Sequence, residues 1–212
     1  MTPKEQFQEF CQHLYLDVNP SQYLKECSQC GKLRQPPFDM LELLQKTPQS
    51  PIHHPEGNAW NHMCLVVDQA AKLRTLSQNP QVFMWAALLH DIGKPQTTRE
   101  RKGRIISYDH DKVGMELACK FLTMVCDDND FIDRVSKLVR YHMHVMFVVK
   151  DLPFADINAM KRDVDVREVA LLGFCDRMGR TKGDAQEEQT QIELFLKKLG
   201  AENDMDLSSY YQ

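Results

Sequence analysis

Six residues combine a side-chain type and a position that would suit them to work together: His62, His90, Asp91, His110, His142 and Asp176. Imidazole and carboxylate are the groups that bind divalent ions or move protons near neutral pH. Five of them, with Asp91 the neighbour of one, fall on an apolar stripe read at i, i+3, i+4 and i+7. His62 is in register with Leu65, Val66 and Leu73, and His90 closes the set Phe83, Ala86 and Ala87. His110 lines up with Val113, Gly114, Leu117 and Phe121. His142 continues Val135, Leu138 and Val139, while Asp176 follows Val169, Leu172 and Gly173. These five therefore point inward. A single inward histidine is ordinarily a satisfied core residue. Four imidazoles and two carboxylates on the inner faces of five helices need another account, because a carboxylate buried alone is costly or loses its charge.

A divalent ion removes that cost, since it takes neutral imidazole and ionised carboxylate directly. The adjacent pair His90-Asp91 sets a condition. Neighbouring helical side chains diverge by about 100°, so the two converge on one ion only where their helix ends. Gly93 and Pro95 in "HDIGKP" end it. The two oxygens of Asp91 could bridge two ions about 3.5–4 Å apart. No thiolate belongs to the set. The implied cofactors are one or two divalent metals, drawn from Mn, Fe, Ni, Co and Mg.

Further candidates surround these ligands. Lys94 follows the pair, where a cation could act in catalysis and hold a phosphate; a lysine complementing a helix end is the equal alternative. Arg177 and Arg180 follow Asp176 and are candidate substrate-binding cations, although a surface ion pair is the stronger expectation for Arg180. Asp111 could orient a neighbouring histidine or serve as general acid or base. Asp109 is expected to cap its helix, and Asp68 to be an ordinary helix charge. His13, His53, His54 and His144 lack an inward address; His144 would face elsewhere on a helix continuing past His142. Glu56 and Gly57 of "HHPEG" are expected to set a helix entry.

Helical periodicity dominates the elements that must carry these residues. Helices are expected at 3–17, 20–32, 38–46, 57–77, 80–92, 110–125, 128–142, 154–160, 165–178 and 184–199. The only strand signal is "TTRERKGRIISY", a small β-hairpin near 97–108 turning at Lys102-Gly103. The class is all-α, a compact helical bundle. Residues 1–50 read as a short helical annex, 51–200 as the main domain and 201–212 as a frayed tail. The last helix carries Ile192, Leu194, Phe195 and Leu199 on or near one face, for docking on the chain's own core.

The 212 residues are 42% hydrophobic, ample for one core. The net charge of −4 excludes a general nucleic-acid coat protein but allows a local basic pocket. The seven cysteines are odd in number, and no secretory signal precedes them, so they read as reduced thiols in a cytoplasmic protein. Cys27 and Cys30 lack the second ligand pair that a structural zinc site needs. No stretch reaches the length of a membrane span. Oligomeric state is not legible.

The pattern His62, His90-Asp91, His110, His142, Asp176 resembles the HD-domain metal-dependent phosphohydrolase superfamily. The stretches "HHPEGNAWNHMCLVVDQA", "ALLHDIGKP", "GRIISYDHDKVG", "LVRYHMH" and "LLGFCDRMGR" are similar to the HD domain attached to bacterial tRNA nucleotidyltransferases of the CCA-adding type. The likeness runs from about 53 to 180. It implies that His62, His90, Asp91 and Asp176 are core metal ligands and that His110 and His142 serve a second metal. It departs from the family at Asn61, at Met63 and in "YDHDKVG" around His110, which bears on substrate preference. The Gly-Ser turn and paired aspartates of a nucleotidyltransferase head are missing, so the chain reads as the HD portion standing alone rather than a CCA-adding enzyme.

The implied activity is hydrolysis of a phosphomonoester or 2′,3′-cyclic phosphodiester, by attack of a metal-bound hydroxide. The expected partner is a small phosphorylated substrate, a nucleotide or an RNA terminus, with no membrane involved. Two other readings use the same residues: a diiron enzyme that activates oxygen, and a non-catalytic metal-stapled module that binds a nucleotide or partner.

Overall fold

The computed structural model describes residues 1–181, 183–202 and 205–211. Its first helix, α1 (Pro3–Leu16), starts from a capping box in which Thr2 and Glu5 satisfy each other's backbone N–H groups. α2 (Ser21–Gln29) and the short α3 (Asp39–Glu42) follow. α4 (Ala59–Leu73) is capped by the Asn58 side chain, which accepts from Asn61 N–H at 2.9 Å.

α5 (Pro80–Leu89) is the centre of the bundle. Asn79 caps it and Pro80 opens it, and every residue from Val82 to Leu89 is buried. A helix apolar on all sides must be surrounded, and α1, α4, α8 (Asn129–Tyr141) and α11 (Val166–Met178) pack around it. Between them run α6 (Lys94–Thr97), strands β1 (Arg99–Arg101) and β2 (Arg104–Ile106), and α7 (His110–Thr123). The strands pair antiparallel, Arg99 opposite Ile106. Their turn residues, Lys102 and Gly103, both take positive φ, as a tight two-residue hairpin requires. α9 (His144–Val149), α10 (Ile157–Asp163) and α12 (Ala185–Leu199) complete the fold. An all-α bundle with one small hairpin is thus what the chain forms. No helix among the described residues is long and apolar enough to cross a membrane.

The segment before residue 50 shares the central core. Phe7 stacks on Trp85 with ring centroids 4.8 Å apart, and Phe10 packs against Tyr23, Phe38 and Trp85. Asp68 is more than a helix charge. Its carboxylate accepts from the Ser21 backbone at 2.9 Å and the Ser21 hydroxyl at 2.6 Å, tying α2 to α4.

Several expectations differ at their edges. α9 was not expected: the chain breaks at His142-Met143 and restarts at His144. The break changes the helix phase, so His144 is fully buried, with Nε2 accepting from Asp156 N–H at 3.3 Å. Asp109 stands at the start of α7 in the left-handed region and makes no cap bond; it pairs with Lys112 at 2.7 Å instead. α12 docks on α9 and α11 through Ile192, Phe195, Leu196 and Leu199, while Leu194 turns towards solvent. The tail expected to fray carries a buried Leu207, whose N–H donates to Gln189 at 2.9 Å, and Tyr211 packs on Phe174.

Phe10 is completely buried, so Phe10→Ala should cost about 3–5 kcal/mol. Urea unfolding should remain a single transition. A shift well below that, or a second transition, would show that the first 50 residues fold apart from the bundle.

Candidate metal centre

α5 ends at His90, and the chain turns through Asp91, Ile92 and Gly93 into α6. The turn is set by close approach. A Cβ on Gly93 would lie 2.1 Å from His110 O and 2.7 Å from Gly114 N, at the start of α7. Only glycine lets these backbones touch. This contact brings His110 beside the His90-Asp91 pair. α8 supplies His142 at its C-terminus, α4 supplies His62 and α11 supplies Asp176.

All six sequence-derived candidates come together, each less than a tenth exposed. Asp91 is central, and its two oxygens face different neighbours. Oδ2 lies 3.3 Å from His90 Nε2 and 4.0 Å from His62 Nε2. Oδ1 lies 3.5 Å from His110 Nε2 and 4.0 Å from His142 Nε2. Asp176 Oδ1 is 2.8 Å from His62 Nε2. The ligand atoms of His62, His90 and Asp91, and those of Asp91, His110 and His142, form two groups compact enough for an ion each.

The far nitrogen of each ring decides which tautomer faces inward. His90 Nδ1 is 2.8 Å from Ala87 O, His110 Nδ1 is 2.7 Å from Ser107 O, and His142 Nδ1 is 2.6 Å from Val139 O. A carbonyl only accepts, so each Nδ1 carries a proton, and in the neutral ring Nε2 presents a lone pair. His110 Nε2 and His142 Nε2 then face each other at 3.2 Å with no proton between them. His90 Nε2 is buried without a hydrogen-bond partner among the described residues. Bare, inward lone pairs around an ionised carboxylate fit a divalent cation.

The protonation states agree. Burial alone would raise Asp91, but His90 and then Lys94 hold it well below the usual carboxylate range. Burial also opposes the charge of Asp176, which His62 and Arg180 hold well below that range. Burial, reinforced by His110, drops His142 to about 3. Burial likewise lowers His110.

The flanking candidates divide. Lys94 is buried, with Nζ 2.7 Å from Asp91 Oδ2, an ion pair off the hydrogen-bond axis. It also donates to Gln49 Oε1. Arg180 reaches inward: Nη2 is 3.9 Å from Asp176 Oδ2, and Nε is buried without a partner among the described residues. The expected surface pair for Arg180 is therefore an inward one. Arg177 is not brought to the centre; its guanidinium pairs with Glu188 on α12. Asp111 is engaged by Arg140, an ion pair between α7 and α8, and orients no histidine.

Three residues near the centre had no such role in the sequence. Glu56 Oε1 lies 2.9 Å from His62 Nδ1, though off the axis of a good hydrogen bond, and 2.9 Å from His54 Nδ1. Burial opposes its charge, but His62 and hydrogen bonds pull it down to about 2. Burial, with Lys94 and His62 nearby, lowers His54 to about 4. The third is Gln49. Glu56 and His54 precede α4, in a loop where no helical spacing fixes a direction, and nothing in the pattern marked Gln49.

The HD domain family matches residues 59–177, a span that holds all six candidate ligands. The chain is 31% identical over 135 residues to the multifunctional CCA protein of Actinobacillus pleuropneumoniae serotype 5b (strain L20), covering 63% of this chain and 32% of that protein. It is 30% identical over 201 residues to the multifunctional CCA protein of Methylococcus capsulatus (strain ATCC 33009 / NCIMB 11132 / Bath), covering 88% of this chain and 43% of that protein. The chain thus spans about a third to two fifths of the length of these relatives.

Backbone atoms cannot swing away from a new Cβ at Gly93. Gly93→Ala should therefore lose about 1–3 kcal/mol of stability, together with most of the Mn²⁺ affinity. An unchanged urea midpoint would show that this contact does not constrain the centre.

Proposed function

Because the chain belongs to the HD-domain family, we propose that it is a metal-dependent phosphohydrolase. The observation that carries this reading is Asp91, whose two oxygens face two separate groups of imidazole nitrogens. In the proposal, His62, His90, Asp91 and Asp176 hold one ion, and Asp91, His110 and His142 hold a second. Bound divalent ions supply an activated water for in-line attack on phosphorus and offset charge on the phosphoryl oxygens.

The remaining steps belong to this chain's own groups. His90 and Lys94 hold Asp91 ionised, so both of its oxygens would be available to bound ions at neutral pH. The His110 and His142 rings stay neutral, which keeps their Nε2 lone pairs available. Lys94 Nζ, beside Asp91 Oδ2, is positioned to bind a phosphoryl oxygen. Arg180 supports the same anionic flank from α11's end. Glu56 holds the His62 ring from behind, as outer carboxylates do for metal-binding histidines.

The substrate we propose is a phosphomonoester or 2′,3′-cyclic phosphodiester of a nucleotide or an RNA terminus. The relatives' name, multifunctional CCA protein, supports that class. Two cations beside the ligands favour an anionic substrate over dioxygen. Seven free thiols support a cytoplasmic setting.

Hydrolysis of a nucleotide panel by Mn²⁺-loaded protein tests the proposal, read as free phosphate from monoesters and as ring-opened 2′- or 3′-AMP from 2′,3′-cyclic AMP. Turnover is expected with at least one substrate, and His90→Ala and Asp91→Ala should each lower kcat by at least about 10³. A folded, metal-loaded protein that hydrolyses none of them, giving neither free phosphate nor a ring-opened monophosphate, would refute it.

A further inference from the structure

We infer that Gln49 is a substrate-binding residue, its side-chain amide donating to an oxygen of the phosphoryl group held beside Lys94. The inference rests on the phosphohydrolase reading, but it concerns a residue outside the span that matches the family.

The chain around Gln49 is fixed to the helix that carries His62. Pro48 and Asn58 form an isolated antiparallel bridge. Ala59 N–H donates to Thr47 O at 3.0 Å, and the Asn58 amide donates to Gln45 O at 2.9 Å. Gln49 is thereby held at the base of α4 with only 6% of its surface exposed.

Lys94 decides how the amide is turned. An ammonium only donates, so the Gln49 oxygen must face Lys94 and the nitrogen must face away from it. That nitrogen carries two N–H donors. It is shut off from solvent and has no partner among the described residues. Buried donors without acceptors are unfavourable, and an occupant with acceptors relieves them.

The neighbours say what that occupant is. Lys94 Nζ stands beside Asp91 Oδ2. Arg180 Nη2 lies 3.9 Å from Asp176 Oδ2, so each cation adjoins a carboxylate of the centre. Arg180 Nε is also buried and without a partner among the described residues. Gln49 Nε2, Arg180 Nε and Lys94 Nζ all donate. The other unpartnered oxygen nearby, Glu56 Oε2, belongs to the carboxylate at the opposite nitrogen of His62, away from Asp176. Donors from three side chains at these carboxylates and at Lys94 match a ligand that only accepts and has several oxygens, which is a phosphoryl group.

Calorimetric titration of inorganic phosphate into Mn²⁺-loaded protein tests this directly. Gln49→Met keeps the volume and removes both polar atoms. Gln49→Glu keeps an oxygen for Lys94 and removes the donors. Both should retain the wild-type metal content and weaken phosphate binding by about tenfold or more, Gln49→Glu the more strongly. On a turned-over substrate the loss should fall mainly in KM. Either variant binding phosphate as the wild type does would overturn the inference, as would wild-type protein that takes up no phosphate. Loss of metal in both variants would overturn it too, by showing that Gln49 supports the fold of the centre instead. Wild-type protein that binds phosphate through Gln49 yet hydrolyses no phosphoester would overturn the phosphohydrolase reading alone.

Discussion

The structure is organised around one buried negative charge. Asp91 is 1% exposed and stays ionised, and a lone carboxylate there would be severely unfavourable. Everything near it answers that cost. α5 ends at Leu89, so His90 caps it and Asp91 lies in the turn beyond. Gly93 touches the backbone of α7, which brings His110 to one carboxylate oxygen. Lys94 returns to the other oxygen. The rings of His90, His110 and His142 are anchored through Nδ1 to backbone carbonyls, and Glu56 stands 2.9 Å from Nδ1 of His62.

Much of this was legible in the sequence because five of the six polar residues sit inside apolar stripes. A stripe at helical spacing fixes a direction, and five helices aimed inward leave their polar members little room to be apart. His62 and Asp176 illustrate it: 114 residues apart in sequence, they meet at 2.8 Å. The hairpin was equally legible, since Lys102-Gly103 between alternating residues has one common backbone solution.

What escaped the sequence lay where periodicity stops. His144 was assigned to an outer face by extending the α8 helix, and the two-residue break after Tyr141 reset the phase. Glu56, His54 and Gln49 lie on loops, where no repeat predicts a direction. Gln49 depends on a bridge between Pro48 and Asn58 that only the folded chain reveals. Arg177 and Asp111 failed differently. Each was placed near the ligands by sequence distance, and each found a nearer opposite charge, in Glu188 and Arg140.

The central claim is that this buried cluster is a metal centre bridged by Asp91. Elemental analysis after equilibration with Mn²⁺, on wild type and Asp91→Ala side by side, tests it most directly. The account predicts one or two ions per chain in the wild type, on the order expected for such a site, and a clear loss in the variant while the helical signal by circular dichroism persists. Wild-type protein that retains no Mn²⁺, Fe²⁺ or Ni²⁺, or a variant that retains as much as the wild type, would contradict it.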